Sequence, residues 1–227
     1  VGDTRIGSPI CEDAWYEDVS ETLSETGAEF LLIPNGSPYD REKLSVRQNI
    51  MVARVIETGL PLIYLNMVGG QDDQVFDGGS FVLNPGGSLA VQLPLFEDTV
   101  AHIDLLRGPE GWRAEDGPKA RIPDMLEQDY HAMVLGVRDY LRKSGFAKVL
   151  LGLSGGIDSA IVATIAADAI GAENVRCVML PSDYTSESSL QDAKAVAENL
   201  GCAYDFVPIT EGQAAITGTL ALLFVGT

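Results

Sequence analysis

Cysteine, histidine and basic residues are all scarce in this chain. It has three cysteines and two histidines in 227 residues. Cys11, Cys177 and Cys202 lie far apart without Cys-x-x-Cys spacing, which argues against a disulfide framework or a zinc site. His102 and His131 are too distant for a His-based metal cluster and read as surface or half-buried residues. Lys and Arg total 15 against 33 Asp and Glu, a formal net charge of −18, with no basic run. That balance argues against a nucleic-acid or anionic-membrane partner. No uninterrupted apolar run approaches the roughly 20 residues that a membrane helix needs, and the patch from Leu220 to Val225 is far too short. Internal repeats and low-complexity tracts are missing too. So are the Walker pattern Gly-x4-Gly-Lys-Ser/Thr and the dinucleotide pattern Gly-x-Gly-x-x-Gly. What remains is a chain of ordinary apolar content and a length that suits two domains, with a reducing cytoplasm as its expected setting.

The two halves differ in pattern. Up to about residue 107, short apolar strands alternate with Gly/Pro/Asn turns; candidates are Arg5–Ile10, Glu29–Pro34, Pro61–Asn66, Gly79–Leu83 and Val100–Ile103. Two helical patterns interleave, near Asp18–Thr26 and Arg41–Thr58, and in the second Leu44, Ile50, Val52, Ala53 and Ile56 fall roughly on one face. Asn84-Pro85-Gly86-Gly87 marks a turn between strands. The stretch 108–126 is rich in Gly, Pro and charge and reads as a linker. The second half, 127–227, opens with an amphipathic helix whose apolar stripe is Tyr130, Met133, Val134, Val137 and Leu141, closed by Arg142, Lys143 and Gly145. Strand 148–153, helix 158–170, strand 175–180, helix 189–200 and strand 203–208 follow, and 212–227 reads as a helix. This βαβαβ order predicts a parallel sheet covered by helices.

The most informative run is Gly152-Leu153-Ser154-Gly155-Gly156-Ile157-Asp158-Ser159. A strand enters the glycines and a helix leaves them, so free backbone N–H groups and a positive helix end face one point, as a phosphate requires. Gly155 and Gly156 let the backbone approach an anion, and Ser154 and Ser159 add hydroxyls. Asp158 would repel phosphate unless a magnesium ion bridged the two. The run resembles the pyrophosphate loop (PP-loop) of ATP pyrophosphatases, Ser-Gly-Gly-x-Asp-Ser. Those enzymes split ATP between the α and β phosphates and adenylate an acceptor.

A second chemistry sits at Cys11, which leaves a strand for a turn. Alone it reads as a buried structural cysteine. Its context, Ile6-Gly7-x-x-Ile10-Cys11-Glu12-Asp13-x-Trp15, resembles the nucleophile segment of the nitrilase superfamily, whose members hydrolyse amides through a thioester. Asn35-Gly36-Ser37-Pro38-Tyr39 resembles the Asn-x-Ser-Pro segment of the same fold. Asn66 to Asp72 and Val75 to Ser80 match one nitrilase subgroup, the glutaminase half of glutamine-dependent NAD synthetases. The second half agrees: the PP-loop run, then Met179-Leu180-Pro181-Ser182-x-Tyr184-Thr185-Ser186 and Asp192-Ala193, resembles the PP-loop domain of those enzymes.

The resemblance implies an α/β chain: the C-terminal part of a nitrilase-like αββα sandwich (1–107), then the start of a Rossmann-like parallel αβα PP-loop domain (127–227). It implies ATP-dependent amidation of nicotinic acid adenine dinucleotide with ammonia released from glutamine, through an adenylated intermediate, with Mg2+ as cofactor. The implied roles are Cys11 as nucleophile, and Glu12, Trp15, Ser37 and Lys43 around the glutamine. Gly152, Leu153, Ser154, Gly155, Gly156, Ile157, Asp158, Ser159 and Leu180 are implied for ATP, with Asp158 also on the metal. The implied partners are small molecules and further copies of the chain, with no nucleic acid and no membrane. The family's glutamate base and lysine come from strands before the cysteine, and its Glu-Glu-Asn-x-Gln segment comes later. On that resemblance the chain is an internal fragment, expected to be inactive alone.

Other readings stay open for individual residues. Thr185 and Ser186 either cap the helix near Ser189, with Ser188-x-x-Gln191 as a capping box, or bind nucleotide. Met179 and Leu180 either meet adenine or fill core. Asp72, Asp73 and Asp77 read as a solvated loop. The alternatives for the whole are another PP-loop amidotransferase, or a nitrilase-type amidase with an inert second domain.

Overall fold

The computed structural model describes residues 2–223. They form two compact units that divide between Gly136 and Val137. No helix among the described residues is long and apolar enough to cross a membrane.

In the first unit β1 (Ile6–Gly7) leads through a short 3-10 turn, Cys11–Trp15, into α1 (Glu17–Glu25). Then come β2 (Phe30–Asn35), α2 (Lys43–Thr58), β3 (Leu62–Asn66), the hairpin β4 (Val68–Gln71) and β5 (Gln74–Asp77), β6 (Phe81–Asn84) and β7 (Ser88–Gln92). A second hairpin, β8 (Leu105–Gly108) and β9 (Gly111–Ala114), follows. The main sheet runs β1-β2-β3-β6-β7, parallel through β3 and antiparallel beyond it. The carboxyl ends of β1, β2 and β3 therefore share one edge, where Cys11, Ser37 and Asn66 follow or end their strands.

Strand β6 is buried on both faces and β2 nearly so, which explains their nearly continuous apolar runs. On β6, Phe81 and Leu83 join a core with Ala14, Leu31, Ile33, Met51, Val55, Leu62 and Tyr64. Val82 points the other way and packs with Ala90, Val91 and Ala114. The hairpin β8–β9 supplies that second layer, with Asn84 and Ala114 exchanging two hydrogen bonds. Residues 111–114, within the stretch read as a linker, are thus paired strand, and Val100–Ile103, expected as a strand, is irregular.

Helix α2 also departs from its sequence pattern. Its buried residues are Arg47, Met51, Arg54 and Val55, while Ile56 is 64% exposed. Two arginines on the buried face hide it from a search for apolar periodicity.

Helix α3 (Met125–Ser144) ends as expected, with Arg142 and Lys143 in the last turn and Gly145 beyond at φ +77°. Its buried residues in the first unit are Ala132 and Leu135, packed with Leu95 and Phe96, rather than Met133, which is exposed.

The second unit contains β10 (Val149–Gly152), α4 (Ile157–Ile170), β11 (Val175–Met179), α5 (Glu187–Leu200), β12 (Ala203–Phe206) and α6 (Thr210–Leu220). Its three strands are parallel, in the order β10-β11-β12, as the βαβαβ pattern requires. Small residues dominate the α4 and α5 contacts (Ala163, Ala166, Ala193 and Ala197), so the helices pack close to Leu153, Val175, Cys177 and Met179. Helix α5 is capped by Ser186, whose Oγ accepts from the Ser189 N–H at 3.1 Å. Gln191 instead donates to Glu187, so the proposed Ser188–Gln191 box is not formed. The last helix spans 210–220, with a 3-10 turn over Ala221–Leu223; positions 224–227 of its expected range lie outside the described residues.

Burial sets the expected mutational response. Ile33→Ala, at a fully buried site, is expected to cost about 2–5 kcal/mol. Ile56→Ala, on the exposed side of α2, should stay within about 0.5 kcal/mol. Urea unfolding followed by tryptophan fluorescence reads both, since Trp15 and Trp112 lie in this unit.

Candidate active sites

The first site is built at the carboxyl edge of β1–β3. Cys11 is half-buried and adopts φ +54°, the left-handed region that a non-glycine residue occupies only when its surroundings compel it. The compelling bonds are local: Asp13 N–H donates to the Ile10 carbonyl at 3.1 Å, and Ile10 N–H donates to the Asp13 carboxylate at 3.2 Å. Together they fold Cys11–Trp15 into a tight turn after β1, which ends at Gly7 rather than at Ile10 as expected. The Glu12 N–H, next along the chain, has no acceptor among the described residues. It is therefore free to donate to an oxyanion formed beside the sulfur. The Glu12 side chain is exposed and accepts from the Tyr16 hydroxyl at 3.4 Å. The Lys43 ammonium sits over the Trp15 ring, 4.9 Å from its centroid, which brings two of the expected glutamine residues together.

Ser37, the next of them, is buried and held by a polar network that apolar patterning could not reveal. Arg47, 1% exposed, donates from Nε to Ser37 Oγ at 3.0 Å and from Nη2 to the carbonyls of Ser37 and Pro38 at 2.9 and 2.8 Å. Its Nη1 donates to both oxygens of Asp77 at 2.8 and 2.9 Å. Asn66 closes the network: its Oδ1 accepts from Ser37 N–H at 3.0 Å and its Nδ2 donates to the Ser37 carbonyl at 3.2 Å. Asp77, expected in a solvated loop, is 1% exposed. It ends β5, and the hairpin delivers it to Arg47. Burial pushes its carboxyl up, against the opposing pull of the Arg47 charge. Asp72 and Asp73 are exposed at the hairpin turn, as expected of solvated residues.

Two buried polar atoms at this edge, Tyr64 Oη and Asn35 Oδ1, have no hydrogen-bond partner. Tyr64 stacks on Phe81 with centroids 4.8 Å apart, and burial pushes its phenol up to about 12. The Arg47 charge and the nearby Ser37 hydroxyl favour the phenolate, while Cys11 and Asp77 oppose it. The phenol is thus neutral at ordinary pH, under a polar site.

The second site is the turn from β10 into α4. The loop is braced by its own serines: Ser154 N–H donates to Ser159 Oγ at 3.1 Å, the two hydroxyls lie 3.0 Å apart, and Gly156 N–H donates to Ser154 Oγ at 3.3 Å. Ser159 Oγ also lies 3.0 Å from the Gly156 carbonyl, which accepts its proton. The N–H groups of Gly155, Ile157, Asp158 and Ser159 have no acceptor among the described residues. They sit at the positive end of α4 and form the donor set that a phosphate needs. Gly155 is obligatory twice over. Its φ is +80°, and a Cβ there would stand 2.2 Å from the Ser189 carbonyl oxygen. Asp158 is exposed in the first turn of α4. Leu180 follows β11 at the same carboxyl edge and is 47% exposed. Leu153 is 1% exposed and its side chain belongs to the core, so only its backbone is available to a ligand.

Comparison with known proteins finds a separate match for each part of the chain. Residues 1–108 match the carbon-nitrogen hydrolase family model, and residues 129–222 match the NAD synthase model. Over 227 residues the chain is 61% identical to the glutamine-dependent NAD(+) synthetase of Rhodobacter capsulatus, covering all of this chain and 41% of that protein. It is 38% identical over 242 residues to that of Aquifex aeolicus, covering 91% of this chain and 42% of the relative. A solved structure of glutamine-dependent NAD+ synthetase from Acinetobacter baumannii, in complex with ADP, aligns with a TM-score of 0.93 at 36% identity, over all of this chain and 43% of that one. The chain thus spans about 40% of the length of these relatives. With a carbon-nitrogen hydrolase segment followed by an NAD synthase segment, the chain is similar along its whole length to part of the glutamine-dependent NAD(+) synthetases.

Proposed function

We propose that the whole protein amidates nicotinic acid adenine dinucleotide to NAD, using ATP and ammonia released from glutamine. One observation carries this reading. A single chain holds both a cysteine at a left-handed φ, opening the turn after β1, and a glycine loop with four unpaired N–H groups at a helix start.

In the first unit the Cys11 sulfur attacks the side-chain carboxamide carbon of glutamine. The thiol proton leaves with the nitrogen as ammonia, and a thioester remains for water to hydrolyse to glutamate. The Glu12 N–H is placed to hold the oxyanion of the tetrahedral intermediate. Ser37 and Lys43 orient the amino acid, and Trp15 walls the pocket.

In the second unit the carboxylate of the dinucleotide attacks the α phosphorus of ATP and pyrophosphate departs. The N–H groups of Gly155, Ile157, Asp158 and Ser159 receive it. Ammonia then displaces AMP from the acyl adenylate, giving the amide. A magnesium ion held by Asp158 and the phosphates would neutralise the developing charge. The fit is that of an ion bound through one carboxylate plus substrate: among the described residues no group of three or more His, Cys, Asp or Glu could hold a metal by itself.

Three measurements test this reading. Thiol burial sets an order of reactivity, because burial pushes the Cys177 thiol up to about 11 and raises that of Cys202 as well. At pH 8 roughly one Cys177 in a thousand is thiolate. Iodoacetamide followed by peptide mass analysis should therefore modify Cys11 first and Cys177 last; labelling in the reverse order would contradict a reactive Cys11.

In the whole protein, Cys11→Ala should abolish glutamine-dependent NAD formation and leave ammonia-dependent formation nearly intact. Loss of both activities in a folded variant would refute separate sites.

Asp158→Ala should remove synthesis with either nitrogen source, a loss on the order of 10²-fold or more in a steady-state assay. Wild-type magnesium-dependent ATP cleavage in that variant would exclude Asp158 from the metal.

A further inference from the structure

The Arg47 network has a consequence for the ligand that Ser37 recognises. An arginine carries five N–H donors and no acceptor. All five of Arg47 are used: one on Ser37 Oγ, one each on the carbonyls of Ser37 and Pro38, and two on Asp77. Since Arg47 can only donate, Ser37 Oγ is the acceptor in their bond. The Ser37 N–H and carbonyl are likewise taken by Asn66 and Arg47. What is left to the residue is its hydroxyl proton and the second lone pair of its oxygen. The Tyr64 hydroxyl, buried and without another partner, is the group beside Ser37 that can compete for them.

We propose that Arg47 is a positioning residue for amino-acid binding at the Cys11 site: by holding the Ser37 oxygen and the carbonyls of Ser37 and Pro38, it fixes the direction in which the Ser37 hydroxyl meets the bound amino acid. The inference rests on the reading of Ser37 as a glutamine-binding residue. It adds the residue that holds that contact in place. Lysine could keep the charge opposite Asp77. Its three donors on a flexible stem could not hold Ser37 Oγ, Ser37 O and Pro38 O in one plane while also meeting the carboxylate.

The test is a double-mutant cycle in the whole protein, reading KM and kcat for ammonia release from glutamine in Arg47→Lys, Ser37→Ala and the double variant. Arg47→Lys should raise KM for glutamine on the order of 10-fold, with kcat within about twofold. Its effect should vanish in the Ser37→Ala background, because both changes remove the same contact. A purely structural Arg47 would lower the melting temperature without this coupling.

If Ser37→Ala leaves KM unchanged, the glutamine-binding reading of Ser37 falls and the inference falls with it. If Ser37→Ala raises KM but Arg47→Lys does not, or their effects multiply, the positioning role alone is overturned. Should the lysine variant fail to fold, Arg47→Met with Asp77→Leu removes the buried pair without stranding a charge, and the same cycle against Ser37→Ala decides.

Discussion

The Arg47–Asp77 pair is the constraint on which the first unit depends. Both side chains are almost wholly out of water, at 0% and 2% exposure. Desolvating two charges is expensive, and the cost is recovered only when every donor and lone pair is met. The chain satisfies this demand by bringing three separated segments to one point: the loop after β2, the end of β3 and the end of hairpin β4–β5. Breaking such a pair by removing one partner typically costs about 3–5 kcal/mol. The geometry of Ser37 is therefore not adjustable on its own. It is fixed by the same bonds that keep a buried guanidinium satisfied.

The second unit meets a comparable problem by opposite means. Its site depends on groups left unpaired rather than paired. The serines of the loop bond to each other and to the loop backbone, which stiffens the turn and leaves four N–H groups without acceptors. Gly155 allows the loop to lie against the first turn of α5, where any side chain would strike the Ser189 carbonyl. An anion entering there replaces water on donors already oriented toward it, so little reorganisation is needed. Ser186, at the start of α5, holds the neighbouring turn in place.

Much of this was legible in the chain itself. The alternation of strands and helices from 148 to 206 follows from local periodicity and from glycines at the turns, and the parallel sheet with its loop at the carboxyl edge follows from that order. Helix α2 was legible as a helix but not in its orientation, because Arg47 and Arg54 occupy the face that apolar patterning assigns to solvent. Asp77 was hidden for the same reason: a carboxylate three residues past Gln74 has no local sign of burial. Its fate depends on a partner 30 positions away. The hairpin β8–β9 was hidden by its Gly/Pro/charge composition, which describes a turn and a linker equally well. Ser186, one of the two residues that the sequence offers as the cap of α5, is the one that packing selects, while the Ser188–Gln191 box does not form.

The sequence by itself determined which chemistries the chain can carry. A cysteine leaving a strand and a Ser-Gly-Gly-x-Asp-Ser turn are local patterns, and the bonds that shape them span at most five residues. Tertiary structure alone decided the support of those sites: which hydroxyl is held in place, which carboxylate is buried, which side chain belongs to core rather than ligand. Those properties depend on whether water can reach a group and on which distant donor meets it. Solvent access and long-range partners arise only when β2, β3, α2 and the β4–β5 hairpin close around one another.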